Sequence, residues 1–133
     1  MFILVAVSCC LWMIHRGVQQ HTHVNHTKIQ LMFLAAAASE YYDQNRAWPN
    51  SLQELMARPA SGGNLAIFLT YGTNDFWGSP IVFEPFDLAH GYGRILSLGP
   101  DRKPGGMFQG RDIIVHYGTN QQMSFLRKEK LTR

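Results

Sequence analysis

The chain opens with an apolar run from Phe2 to Ile14, broken only by Ser8, Cys9 and Cys10 and closed by His15 and Arg16. A comfortable membrane span needs about 20 apolar residues, so this run is short for a span and closer to the length of a signal-peptide core. No basic residue precedes it, no A-x-A-type cleavage site follows it, and Arg16 sits on the wrong flank for export of what comes after. With Trp12 near one end, the pattern predicts a membrane-associated helix over residues 2–14 rather than the buried helix of a soluble domain. A start that has lost upstream basic residues, or insertion only alongside partner subunits, would reconcile the flanking charge with that reading.

From His15 to Lys28 the chain turns polar and carries His15, His21, His23 and His26. Helical spacing does not bring all four to one face, and no obvious carboxylate accompanies them as a zinc site would require. The stretch reads as solvated helix. From Thr27 to Arg46 the period is again helical: Val24, Leu31, Leu34, Ala35, Ala38 and Tyr42 form one stripe at spacings of three, four and seven. Ile29 and Phe33 lie on the other side, as in a helix central to its domain or packed on other subunits. Asn45 and Pro49 mark its end. Ser51-Leu52-Gln53-Glu54 is a capping box that opens a short helix through Arg58.

After a Pro/Gly/Ser loop at Pro59 to Asn64 the pattern changes to short β-rich runs: Ala66 to Tyr71, Ile81 to Glu84, Gly93 to Leu98 and Ile113 to Tyr117. Turn-rich segments separate them at Gly72 to Pro80, Pro85 to Gly91 and Gly99 to Gly110. Helices first and antiparallel strands after predict an α+β fold, a long helix on one face of a small sheet. The division along the chain is a membrane-associated helix with a polar extension over 1–26 and a globular domain over 27–133.

Composition narrows the picture little further. Apolar residues at 46% permit a real core, and a charged fraction of 16% is low for a soluble chain, as expected if surface is hidden in a membrane or an assembly. The net charge of +3 is partly local, with Arg127, Lys128, Lys130 and Arg133 at the C-terminus, where a solvated tail is a better reading than a nucleic-acid site. Cys9 and Cys10 are adjacent and poorly placed to bridge each other. No other cysteine follows, so the globular part folds without a disulfide. A Ser8-Cys9 lipobox lacks its basic leader.

Catalytic signatures are missing: no G-x-S-x-G, H-E-x-x-H, P-loop or G-x-G-x-x-G occurs. The expectation is a non-enzyme without a small-molecule substrate. Asp75, Asp87, Asp101 and Asp112 fall in turns, where aspartate is common for backbone reasons. Ser97 to Gly110 is a long Gly/Pro loop bounded by Asp101 and Asp112, and loops of this length are uncommon unless something orders them. Calcium takes six to eight oxygens, backbone carbonyls included. The spacing is not an EF-hand, and on composition alone two turn aspartates are the simpler reading.

Three blocks together resemble the major pseudopilin of type II secretion. Lys28 to Pro49, ending Tyr41-Tyr42-Asp43-Gln44-Asn45-Arg46-Ala47-Trp48-Pro49, is similar to the family's helix end, with Ser51 to Leu55 following as its short helix does. Asn74-Asp75-Phe76-Trp77-Gly78-Ser79-Pro80 is similar to the family's D-P-W-G-x-P turn. Tyr92 to Ile113 is similar to its S-L-G-A-D-G-x-x-G-G loop closed by A-D-I. The resemblance implies a pilin-like fold and assembly with further pseudopilin copies and inner-membrane secretion components. The globular domain would lie in the periplasm of a bacterial envelope. It also implies calcium in the third block, held by the Leu98 and Lys103 carbonyls and the Asp101 and Asp112 carboxylates.

The sequence departs from the family at several points. Arg102 replaces a glycine, and Met107 to Arg111 supply none of the further acidic residues usual before A-D-I. Fewer carboxylates weaken calcium, and Arg102, Lys103 or Arg111 is an alternative source of positive charge. Phe2 to Ala6 echoes the family's mature start, yet Met1 stands where the cleavage glycine is expected and Ala6 where a glutamate assists subunit docking. These departures leave open a membrane-anchored pilin-like binding module that does not polymerise. The basic tail leaves open a DNA-uptake pilin-like protein, whose binding would fall steeply with salt.

Overall fold

The structure, a computed structural model, describes residues 2–57, 72–106 and 110–118, with side chains from residue 8 onward. The strand expected at Ala66 to Tyr71, the loop at Pro59 to Asn64 and the basic C-terminus lie outside the described residues.

A single helix, α1, runs from Phe2 to Asn45 without a break between the apolar start, the histidine-rich stretch and the amphipathic stripe. It stops where Arg46 adopts a left-handed φ of 55° and returns its N–H to the Tyr42 carbonyl at 2.7 Å, an αL-type cap that satisfies an end carbonyl. Helix α2 covers Leu52–Met56 with its C-cap at Ala57; the end expected at Arg58 lies outside the described residues. Its cap is the expected one, since Ser51 Oγ accepts the Glu54 N–H at 3.1 Å. Glu54 also fastens the two helices: its Oε2 accepts the Asn50 N–H at 2.9 Å and its Oε1 accepts the Tyr41 hydroxyl at 2.5 Å. Ser51→Ala is expected to lower stability by about 1 kcal/mol, the usual cost of a lost N-cap, read as a lower urea midpoint at unchanged m-value.

Three strands, β1 (Val82–Asp87), β2 (Tyr92–Ser97) and β3 (Ile113–Tyr117), form an antiparallel sheet in the order β1-β2-β3. Strand β1 continues through Pro85 to Asp87, where a turn was expected. It can do so because it borders only β2 within the described sheet and its register shifts between Glu84 and Asp87, so proline's missing N–H is not needed.

Helix α1 packs on β3 and β2. Leu31, Leu34, Ala35, Ala37 and Ala38 meet Ile95, Val115 and Tyr117 in a core closed at one end by Leu52 and Leu55. Trp48 lies between Tyr42 and Phe86, with ring centroids at 4.4 and 4.8 Å. N-terminal to the core the same helix leaves the domain: Leu11, Trp12, Met13, Ile14 and Val18 are 56–63% exposed. Among the described residues no helix is long and apolar enough to cross a membrane.

Candidate functional site

The segment between β2 and β3 carries the residues singled out by the sequence. Its first arm leaves β2 through Leu98 and Gly99, and its second arm returns through Gly110 and Arg111 to Asp112, directly before β3. Gly99 has φ 68°, and a Cβ there would lie 3.1 Å from the Arg111 carbonyl, so the two arms close on each other at this glycine. Arg102 holds φ 57°. The chain thus keeps the left-handed backbone suited to glycine with an arginine in place, at a cost of roughly 1–2 kcal/mol.

Asp101 Oδ1 accepts the Lys103 N–H at 3.1 Å, which folds the loop tip. Its Oδ2 turns inward over two glycines. A Cβ on Gly110 would meet that oxygen at 2.5 Å, and one on Gly106 would overlap both it and the Gly110 carbonyl. From the other arm, Asp112 Oδ2 accepts the Gly105 N–H at 2.9 Å, while its Oδ1 is buried with no hydrogen-bond partner. The two carboxylates therefore close on the adjacent residues Gly105 and Gly106. Among the described residues no cationic side chain forms an ion pair with either. Leu98 is half-buried where the first arm leaves β2, and Lys103 is exposed at the loop tip.

A buried carboxylate oxygen without a donor costs free energy, and two neighbouring carboxylates without a countercharge add to it. A hard cation with oxygen ligands offsets both, so the residues present fit calcium. Among the described residues no three His, Cys, Asp or Glu side chains gather as metal ligands. Such a site would depend on two carboxylates and backbone carbonyls.

Beneath this loop lies a network that the sequence reading passed over. Asp75, expected as a turn aspartate, is buried. Its Oδ1 accepts the N–H groups of Trp77 at 3.0 Å and Ser79 at 2.8 Å, and its Oδ2 accepts the Ser97 hydroxyl at 2.5 Å. Two buried polar residues of α1 hold the same turn: Thr27 Oγ1 accepts the Phe76 N–H at 3.3 Å, and Gln30 Nε2 donates to the Asn74 carbonyl at 2.9 Å. The histidines do not assemble as ligands. His23 and His26 pack against Phe76, with centroids at 6.4 and 4.9 Å.

A long helix laid on a three-stranded antiparallel meander, with a glycine-rich loop between its last two strands, is a pilin-like architecture. Residues 16–116, most of the chain, match the family model described as type II secretion system (T2SS), protein G, and the chain belongs to that family of major pseudopilins. No curated protein and no solved structure matches it significantly.

Proposed function

We propose that the chain is a structural pseudopilin subunit of a type II secretion filament, which serves protein secretion across the outer membrane. Its globular domain lies in the periplasm, and residues 2–14 associate with the inner membrane next to neighbouring subunits. The observation that carries this reading is the exposed apolar start of α1. Leu11, Met13, Ile14 and Val18 are each more than 60% exposed on a helix whose other end is the core of the domain. Scattered exposed apolar residues are ordinary, but a contiguous patch marks a surface that another molecule covers. Family membership supports copies of pseudopilins as that covering.

Calcium belongs to the same proposal, bound by the Asp101 and Asp112 carboxylates with the Leu98 and Lys103 carbonyls. Its chemistry there is structural: a divalent charge that completes Asp112 Oδ1 and ties the two loop arms. The alternative, that Arg102, Lys103 or Arg111 supplies the charge, has no ion pair to support it among the described residues. Ala6, where the family carries glutamate, favours the second reading, a membrane-anchored pilin-like module that does not polymerise.

The test uses the full chain in detergent and in vesicles. The expected result is membrane-bound oligomers or filaments together with a melting temperature that rises on calcium addition, since a ligand specific to the folded state raises it. A detergent-solubilised monomer at all concentrations would overturn the filament subunit and leave the non-polymerising module. An unchanged melting temperature would remove calcium from the proposal.

A further inference from the structure

Resting on the calcium reading above, we propose that Asp75 and Ser97 are positioning residues of the loop site: they set the separation of the two arms that present Asp101 and Asp112. The turn at Asp75 is 22 residues from Ser97 in sequence, yet a continuous chain of hydrogen bonds joins it to the loop. Ser97 donates its hydroxyl proton to Asp75 Oδ2, and its own Oγ accepts the Gly99 N–H at 3.1 Å. Ser97 is fully buried and Asp75 nearly so, so water does not substitute for either contact.

Gly99 is the residue that touches the opposite arm, packed against the Arg111 carbonyl immediately before Asp112. Fixing the Gly99 amide therefore fixes where the first arm meets the second, next to Asp112. The buried carboxylate is itself held rigidly. Its other oxygen takes two N–H groups of a turn that α1 anchors through Thr27 and Gln30. Outer partners of this kind orient metal ligands without touching the ion, and their loss typically weakens metal affinity by about 10–100-fold.

Three single variants of the full chain separate this role from plain stability: Ser97→Ala, Ser97→Thr and the core variant Leu55→Ala. Calcium affinity is measured by titration calorimetry, and melting temperature with and without calcium. Ser97→Ala removes the link and adds no bulk; it is expected to weaken calcium binding about tenfold or more and to shrink the calcium-induced rise in melting temperature. Ser97→Thr keeps the hydroxyl and is expected to bind calcium within about threefold of wild type. Leu55→Ala lowers the melting temperature of the calcium-free protein but leaves the affinity near wild type.

If Ser97→Ala binds calcium as wild type does while Asp112→Ala does not, the calcium reading stands and the positioning role is overturned. Equal loss of affinity in Ser97→Ala and Leu55→Ala also overturns it, since the effect would then follow stability. A wild-type chain that binds no calcium removes the site and the positioning role with it. Should Ser97→Ala fail to fold, a threonine variant with wild-type affinity supports the hydroxyl's role, and one with a large loss at unchanged calcium-free stability opposes it.

Discussion

Replacing Gly93 by alanine is expected to lower stability by about 2–3 kcal/mol, at the upper end for overpacking, with a melting temperature lower by roughly 10 °C for a domain of this size. Gly93 stands opposite Tyr117 in the β2–β3 register, and the Tyr117 ring lies across the space that a side chain at 93 would take. A Cβ there would clash with the hydroxyl end of the ring, 2.2 Å from Cζ, 2.4 Å from Oη and 2.5 Å from Cε1. The ring has no easy alternative position. Tyr117 is fully buried, stacks with Phe83 at a centroid distance of 5.5 Å, and donates its hydroxyl proton to the Glu84 carbonyl at 3.0 Å.

Burial also pushes the Tyr117 phenol well above its usual pKa, so the neutral form is built into the fold. With the folded pKa raised above the unfolded one, that contribution is fully present below about pH 10 and is lost as pH rises beyond it. Chemical denaturation of Gly93→Ala at neutral pH provides the check. A midpoint within error of wild type would mean that the ring moves aside at little cost.

The elements that were legible in the sequence are those whose signals are local. The stripe through Leu31, Leu34, Ala35 and Ala38 repeats with the helix period because each of its members faces the same sheet, and all four are buried. The capping box at Ser51 and Glu54 is legible because both halves lie within one turn. Strand β3 alternates inward and outward, with Val115 and Tyr117 buried and Ile114 exposed, whereas β2 ends in three successive buried residues, Ile95, Leu96 and Ser97. Strand β1 misled because proline is a turn signal almost everywhere except at a sheet edge or a bulge, and Pro85 is beside one.

The buried polar network was illegible for a different reason. Thr27 and Gln30 find their partners 49 and 44 residues away, and Asp75 meets Ser97 across 22. No window of sequence contains both ends of such a bond. One signal was available: Thr27, Gln30, Leu31 and Leu34 share the spacing of the apolar stripe, so two polar residues occupied core-facing positions. A polar side chain in such a place must be hydrogen-bonded, which points to a partner even where it cannot name it. Asp101 and Asp112 are singled out as ligands by family resemblance and not by composition. What the structure adds is the unpartnered Asp112 Oδ1 and the two glycines under Asp101.

Those glycines yield the sharpest test of the loop. Gly110→Ala is expected to abolish most of the calcium-induced rise in melting temperature while leaving the calcium-free protein close to wild type. The added Cβ would stand 2.5 Å from Asp101 Oδ2 and 2.9 Å from its Cγ, and it meets no backbone atom within 3.4 Å. Only the Asp101 side chain has to move. Asp101 is exposed, so its carboxylate can swing to water at little cost to the fold. In doing so it leaves its place over Gly106 and Gly110, and the proposed calcium site would lose one of its two negative ligands.

Calcium affinity in loop sites follows the number of charged ligands, and even an outer-shell partner is worth about 10–100-fold. A loss of at least tenfold is therefore expected by calorimetry. Gly106→Ala is the contrasting variant. Its Cβ would overlap the Gly110 carbonyl as well as Asp101, so the backbone of the second arm must shift and the calcium-free protein is destabilised too. Wild-type calcium affinity in Gly110→Ala would place Asp101 outside the coordination sphere and leave Asp112 as the sole carboxylate facing the ion.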